Sequence, residues 1–165
     1  VKEFLKEIKE KKIFGSYNGL VRTIEYQKRG LPHMHLLLFQ DHSLAINTVQ
    51  QIDEVISAEI PCKAQDPELY NIVTRSMVHG PCGDLNPDSQ CMAADKNGVK
   101  RCSKRFPKPL SDVTRYHEDG YPDYKRSYVV PEADRHYIDH PLPGVPGNFE
   151  IDNRWIVPYN AYLLK

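Results

Sequence analysis

Two adjoining runs constrain this fold more than any other stretch. Leu20–Gln27, "LVRTIEYQ", and His33–Phe39, "HMHLLLF", are rich in β-branched, aromatic and aliphatic residues, and the polar link "KRGLP" lies between them. Two strand-forming runs joined by about five turn-forming residues predict an antiparallel hairpin. On the second strand His33, His35, Leu37 and Phe39 share one face, while Met34, Leu36 and Leu38 share the other. On the first, Val21, Thr23, Glu25 and Gln27 share a face. The apolar run reads as a buried strand, so the two imidazoles at its head need a reason.

The rest of the chain alternates helical and irregular stretches. Val1, Phe4, Leu5 and Ile8 form an apolar stripe for an opening helix, and Val49, Ile52, Val55 and Ile56 form one for a second. A third is better marked: Asp66 as N-cap, Pro67 at the first helical position and Glu68 in the first turn, with Leu69, Ile72, Val73 and Met77 toward the core. From Gly80 the residues turn to Gly, Pro, Asn, Asp and Cys, an irregular insertion. "YHEDGYPDY" carries an Asp-Gly turn signal for a second hairpin, with Pro122 restricting it to an edge. Pro131, Pro141, Pro143 and Pro146 punctuate what reads as an extended connector. "RWIVPYNAYLLK" then reads as a short strand, Pro158 and a helix carrying Tyr159 and Tyr162. These elements predict an α+β fold, an antiparallel sheet with flanking helices, in one domain over residues 1–165 with a candidate zinc-binding insertion at 79–110. The helical stripe already under way at Val1 and the closing helix that stops at Lys165 lead us to expect a piece of a longer polypeptide.

Charge excludes a globally basic nucleic-acid binder, since 22 Lys and Arg balance 22 Asp and Glu. A local patch remains: Lys96, Lys100, Arg101, Lys104, Arg105 and Lys108 stand against the single acid Asp95. No run approaches the roughly 18 apolar residues of a membrane span, so no membrane partner is expected.

Histidines at i and i+2 of a strand project side by side, which suits two imidazoles to one divalent ion. Glu25, across the hairpin, is the third candidate ligand, with Gln27 competing for the place. Two nitrogens and a carboxylate leave positions open for substrate and water. The same pattern also describes two polar residues on an exposed strand face. At the other end Tyr159 and Tyr162 read either as a packing pair or as phenols near chemistry, with Lys165 one turn past Tyr162. A phenol of ordinary pKa near 10 attacks a phosphodiester only with help at the phosphate. Between these ends, His79, Cys82, Cys91 and Cys102 give H-x2-C-x8-C-x10-C in a segment too poor in apolar residues to order itself. A structural Zn²⁺ would supply that order, with Cys62 as a substitute for His79; free thiols are the alternative. Lys100, Arg101, Lys104 and Arg105 would then face phosphates, with Phe106 available to stack on a base.

"EYQKRGLPHMHLLLF" together with "DNRWIVPYNAYLLK" resembles the replication-initiator-like endonuclease domain of Helitron transposases, rolling-circle elements of the HUH (His-hydrophobic-His) nuclease superfamily. The resemblance runs in order through "IFG", "ISAEIP", "DPELYNIV", "MVHGPCG", "LNPDSQCM", "CSKRFPKP" and "EDGYP". It implies a nickase and strand transferase of single-stranded DNA. His33, His35 and Glu25 would hold Mg²⁺ or Mn²⁺, Tyr162 would form a 5′-phosphotyrosine intermediate, and Lys165 would orient or screen the phosphate. It further implies a nuclear protein in which a Pif1-type helicase domain follows. Helitron nucleases resemble two-tyrosine enzymes whose second nucleophile would fall at position 166, and they carry an early strand motif not found here. A non-catalytic relic that only binds single-stranded DNA is the competing expectation.

Overall fold

The structure is a computed structural model that describes residues 2–26, 30, 32–40, 46, 48–116, 121–142 and 144–165. The chain divides into two compact units, Val1–Gln51 and Ile52–Lys165.

In the first unit α1, Lys2–Lys11, has Glu3 in its first turn and Lys9 and Lys11 in its last, as the helix dipole favours. Ile8 is fully buried and Phe4 and Leu5 half-buried, following the sequence stripe; Val1 lies outside the described residues. Gly15, at φ 79°, turns the chain into β1, Tyr17–Tyr26, which pairs antiparallel with β2, Pro32–Gln40. The register is continuous from Gly19↔Phe39 to Tyr26↔Pro32, leaving residues 27–31 as the link. A Cβ on Gly19 would meet the exposed Phe39 ring at 3.4 Å, an ordinary van der Waals contact. The expectation of a buried second strand needs correction. Leu37 and Phe39 remain 60% and 54% exposed, and only Met34, Leu36 and Leu38 are half-covered. A two-stranded ribbon shields less than a strand inside a wider sheet does.

α2, Val49–Val55, leads into the second unit with Ile52 buried. α3, Pro67–Ser76, starts where the sequence places it. The Asp66 carboxylate accepts from the Leu69 N–H at 3.0 Å, and Leu69, Tyr70 and Val73 are buried. Its core joins Leu69 and Val73 to Cys82, Ile151, Trp155, Ile156 and Tyr159. The closing segment supplies four of these because it threads between earlier pieces: Ile156 bridges Val78, and Tyr159 exchanges backbone hydrogen bonds with Ser57 at 2.8 and 2.9 Å. Arg126, 3% exposed, fixes this crossing by donating to the carbonyls of Ala58, Ile156 and Asn153. Burial pulls its pKa down to about 10, which leaves it a cation at neutral pH.

The α+β class holds: among the described residues the strands pair antiparallel in four two-stranded ribbons. Two were not expected. β3, Met92–Ala94, and β4, Lys100–Cys102, form a hairpin inside the insertion, where Asp95 accepts from the N–H groups of Asn97 and Val99. β7, His136–Asp139, and β8, Asn148–Ile151, pair within the stretch read as a connector, after a 3₁₀ turn at Glu132–Asp134. Pro131, Pro141 and Pro146 lie outside both strands, where a missing N–H costs no ladder bond, and Pro143 lies outside the described residues. β5, Arg115–Tyr116, and β6, Pro122–Asp123, realise the expected second hairpin, although its Asp-Gly turn lies outside the described residues. The closing helix also needs correction: α4 is only Ala161–Leu164, because Asn160 caps it by accepting from the Leu163 N–H, and Tyr159 precedes it.

Candidate functional site

The insertion folds so that its four zinc-competent side chains meet. His79 leaves α3 with its N–H bonded to the Trp155 carbonyl at 2.8 Å, and Cys82 enters the core. The β3–β4 hairpin brings Cys91 and Cys102 back toward them, with the Ser103 N–H on the Cys91 carbonyl at 2.8 Å. One ligand atom from each of the four lies within 4.8 Å of every other. His79 Nε2 stands 3.7 Å from Cys82 Sγ and 3.5 Å from Cys102 Sγ. A tetrahedral zinc with bonds of about 2.1 Å to nitrogen and 2.3 Å to sulfur has ligand-to-ligand edges of about 3.6 Å. The donor set therefore fits zinc with little movement.

Local electrostatics favour that fit at His79 and Cys102 and oppose it at Cys82, whose thiol must lose its proton to bind a metal. Burial and the charges of Lys108 and Lys104 push the His79 pKa down, leaving the neutral imidazole a metal needs. Burial pushes the Cys82 thiol up to about 12, helped by the neighbouring Cys91 and Cys102 sulfurs. For Cys102 burial also acts upward but is outweighed by backbone hydrogen bonds from Phe106 and Lys104 and by the other two thiols, so its pKa is lowered. Those backbone bonds depend on a tight turn in which Arg105 takes φ 58° and its N–H reaches the Cys102 carbonyl at 2.9 Å. The Phe106 ring stacks on His79 at 4.2 Å and 11°, holding the imidazole plane. Sequence reasoning missed both supporting roles, since nothing marks a non-glycine residue for positive φ. Cys62 lies outside the cluster and is a free thiol. Among the described residues, no other group of three or more His, Cys, Asp or Glu gathers as a metal site.

The hairpin arranges its own trio. Glu25 is the cross-strand partner of His33, and Thr23 that of His35. The imidazole centroids are 4.7 Å apart, edge to face, and His35 Nε2 is 3.5 Å from the Glu25 carboxylate. All three side chains are exposed, so this contact contributes little to stability. His33, His35 and Glu25 do not gather as a metal site in the way the four side chains of the insertion do. Gln27, the competing third ligand, lies outside the described residues.

The two tyrosines separate clearly. Tyr159 is 5% exposed, donates to the Glu59 carbonyl at 2.9 Å and has its pKa raised, chiefly by burial. Tyr162 sits on α4 with 41% of its surface exposed. Lys165 is paired with Asp66 at 2.5 Å, tying the end of α4 to the start of α3. The basic run also divides: Lys100 pairs with Asp88 at 3.3 Å and Arg101 with Asp95 at 3.9 Å, whereas Lys104, Arg105 and Lys108 have no carboxylate partner among the described residues.

No helix among the described residues is long and apolar enough to cross a membrane. No curated protein matches the chain. Residues 1–38, which carry α1, β1 and most of β2, match the family described as the Helitron helicase-like domain at the N-terminus, which supports a Helitron-related origin.

Proposed function

We propose that this chain nicks and transfers single-stranded DNA in Helitron transposition, in the nucleus and together with a Pif1-type helicase region of the same polypeptide. The observation that carries the reading is the Glu25↔His33 register beside His35, inside the segment that matches the Helitron family. A Mg²⁺ or Mn²⁺ ion held by His33, His35 and Glu25 would polarise the scissile phosphate. The Tyr162 oxygen attacks phosphorus, and its phenolic proton passes by way of solvent to the departing 3′ oxygen. The bond from phosphorus to the 3′ oxygen breaks, and that oxygen leaves as a 3′-hydroxyl. The 5′-phosphotyrosine keeps the energy of the broken bond, so attack by the same or another 3′-hydroxyl rejoins DNA and restores the phenol. Lys165, released from Asp66, screens phosphate charge.

Covalent trapping tests this. Labelled single-stranded DNA and Mn²⁺ are incubated with the protein and separated under denaturing conditions. A protein band carrying label, lost in both Tyr162→Phe and His33→Ala, is the expected result. Binding without any adduct or cleavage would instead establish the non-catalytic DNA-binding relic.

A further inference from the structure

The second unit contains a cleft of about 950 Å³ whose wall includes the His79 ring. The Cys102 turn contributes Lys104, Arg105 and Phe106, followed by Lys108, and the second hairpin contributes Tyr121, Asp123 and Tyr124. We propose that this cleft is a binding subsite for single-stranded DNA, with backbone phosphates on Lys104, Arg105 and Lys108 and a base stacked on Tyr121. The proposal deepens the reading above, on which the choice of DNA as ligand rests.

Three observations carry it. First, the cations are available: Lys104 and Arg105 are exposed and, like Lys108, lack a carboxylate partner among the described residues. Lys100 and Arg101, equally basic in the sequence, do not line this cleft and pair at the surface with Asp88 at 3.3 Å and Asp95 at 3.9 Å. Second, aromatic surface lines the same cleft as the cations. Tyr121 is 77% exposed, and an aromatic face beside a cationic wall is the combination that holds single strands, since every base has a face to stack. Phe106 plays a different part: His79 covers one face of it and the Lys108 ammonium stands 5.4 Å from its centroid, so it places that ammonium. Third, the size fits. Ligand pockets run to about 1,000 Å³, and this cleft has room for a nucleotide with its phosphates. The positive wall is built by the Cys102 turn, so the metal ligands fix where its charges stand.

The test is fluorescence anisotropy of a labelled oligothymidylate on the zinc-loaded full chain without Mg²⁺ or Mn²⁺, which keeps binding separate from nicking. For Lys104→Ala with Lys108→Ala we expect Kd to rise at least about tenfold. The slope of log K against log salt should fall by about 1.4, at about 0.7 for each phosphate that is no longer neutralised. Tyr121→Ala should raise Kd at least about fivefold with the salt slope unchanged, and Tyr121→Phe should bind normally. Lys100→Ala with Arg101→Ala should change neither quantity. Unchanged binding in the first variant, or loss carried by the second pair, overturns the subsite. Tighter binding of the matching oligouridylate overturns the assignment to DNA. A chain that passes this test but forms no covalent adduct keeps the subsite and loses the nickase.

Discussion

Tyr159 and Tyr162 show how three residues of separation produce different chemistry. The Tyr159 hydroxyl is committed to the Glu59 carbonyl inside the core, where burial opposes its ionisation, whereas Tyr162 is on an exposed turn of helix. Tyr159→Phe should therefore lower unfolding free energy by about 1 kcal/mol, the net worth of one hydrogen bond, measured by urea denaturation. Tyr162→Phe should remove the covalent adduct, read by the same labelled-DNA trapping. Spacing in the sequence leaves the two equivalent, because only the Asn160 cap and the Ser57 bridge decide that Tyr159 stays outside α4. Lys100 and Lys104 repeat the lesson: both are lysines in one basic run, and the placement of Asp88 separates them.

At the level of elements, a zinc ion on His79, Cys82, Cys91 and Cys102 would add to the packing of Leu85, Met92 and Phe106 in holding the β3–β4 hairpin and the Cys102 turn. Zinc should bind one per chain and protect amides of Met92–Cys102 from hydrogen exchange. A strong chelator should erase that protection while α3, capped by Asp66 and packed through Val73, keeps its own. Cys102→Ser should weaken zinc affinity at least about a hundredfold, and Cys62→Ser should leave it unchanged. α3 was legible in full because a cap, a Pro at N1 and an apolar stripe are all local signals. The β7–β8 pair was not: its prolines masked the alternation of His136 and Ile138 against Phe149 and Ile151, which acquires meaning only once the strands pair.

For the whole molecule, stability should follow pH through groups whose proton affinity folding changes. Burial holds His136 below its ordinary 6.5, so the unfolded chain binds more protons than the native one between that lowered value and 6.5. This contribution is complete above about pH 6.5 and is lost as pH falls through the native pKa. His79, lowered by burial and by Lys108 and Lys104, acts in the same direction. The urea midpoint should drop between pH 7.5 and 5.5, and His136→Gln should make that drop shallower. Alone, the sequence determined the first hairpin, its Glu25 and histidine face, the Asp66 start of α3 and three cysteines of a zinc-competent set, because strand alternation, helix caps and ligand chemistry are legible in local pattern. It left open whether His79 or Cys62 completes that set. Tertiary structure decided for His79, set Tyr159 apart from Tyr162 and divided the basic run. Each of these depends on which distant backbone, carboxylate or sulfur lies within a few ångströms, and contact across the fold is the one thing local pattern does not encode.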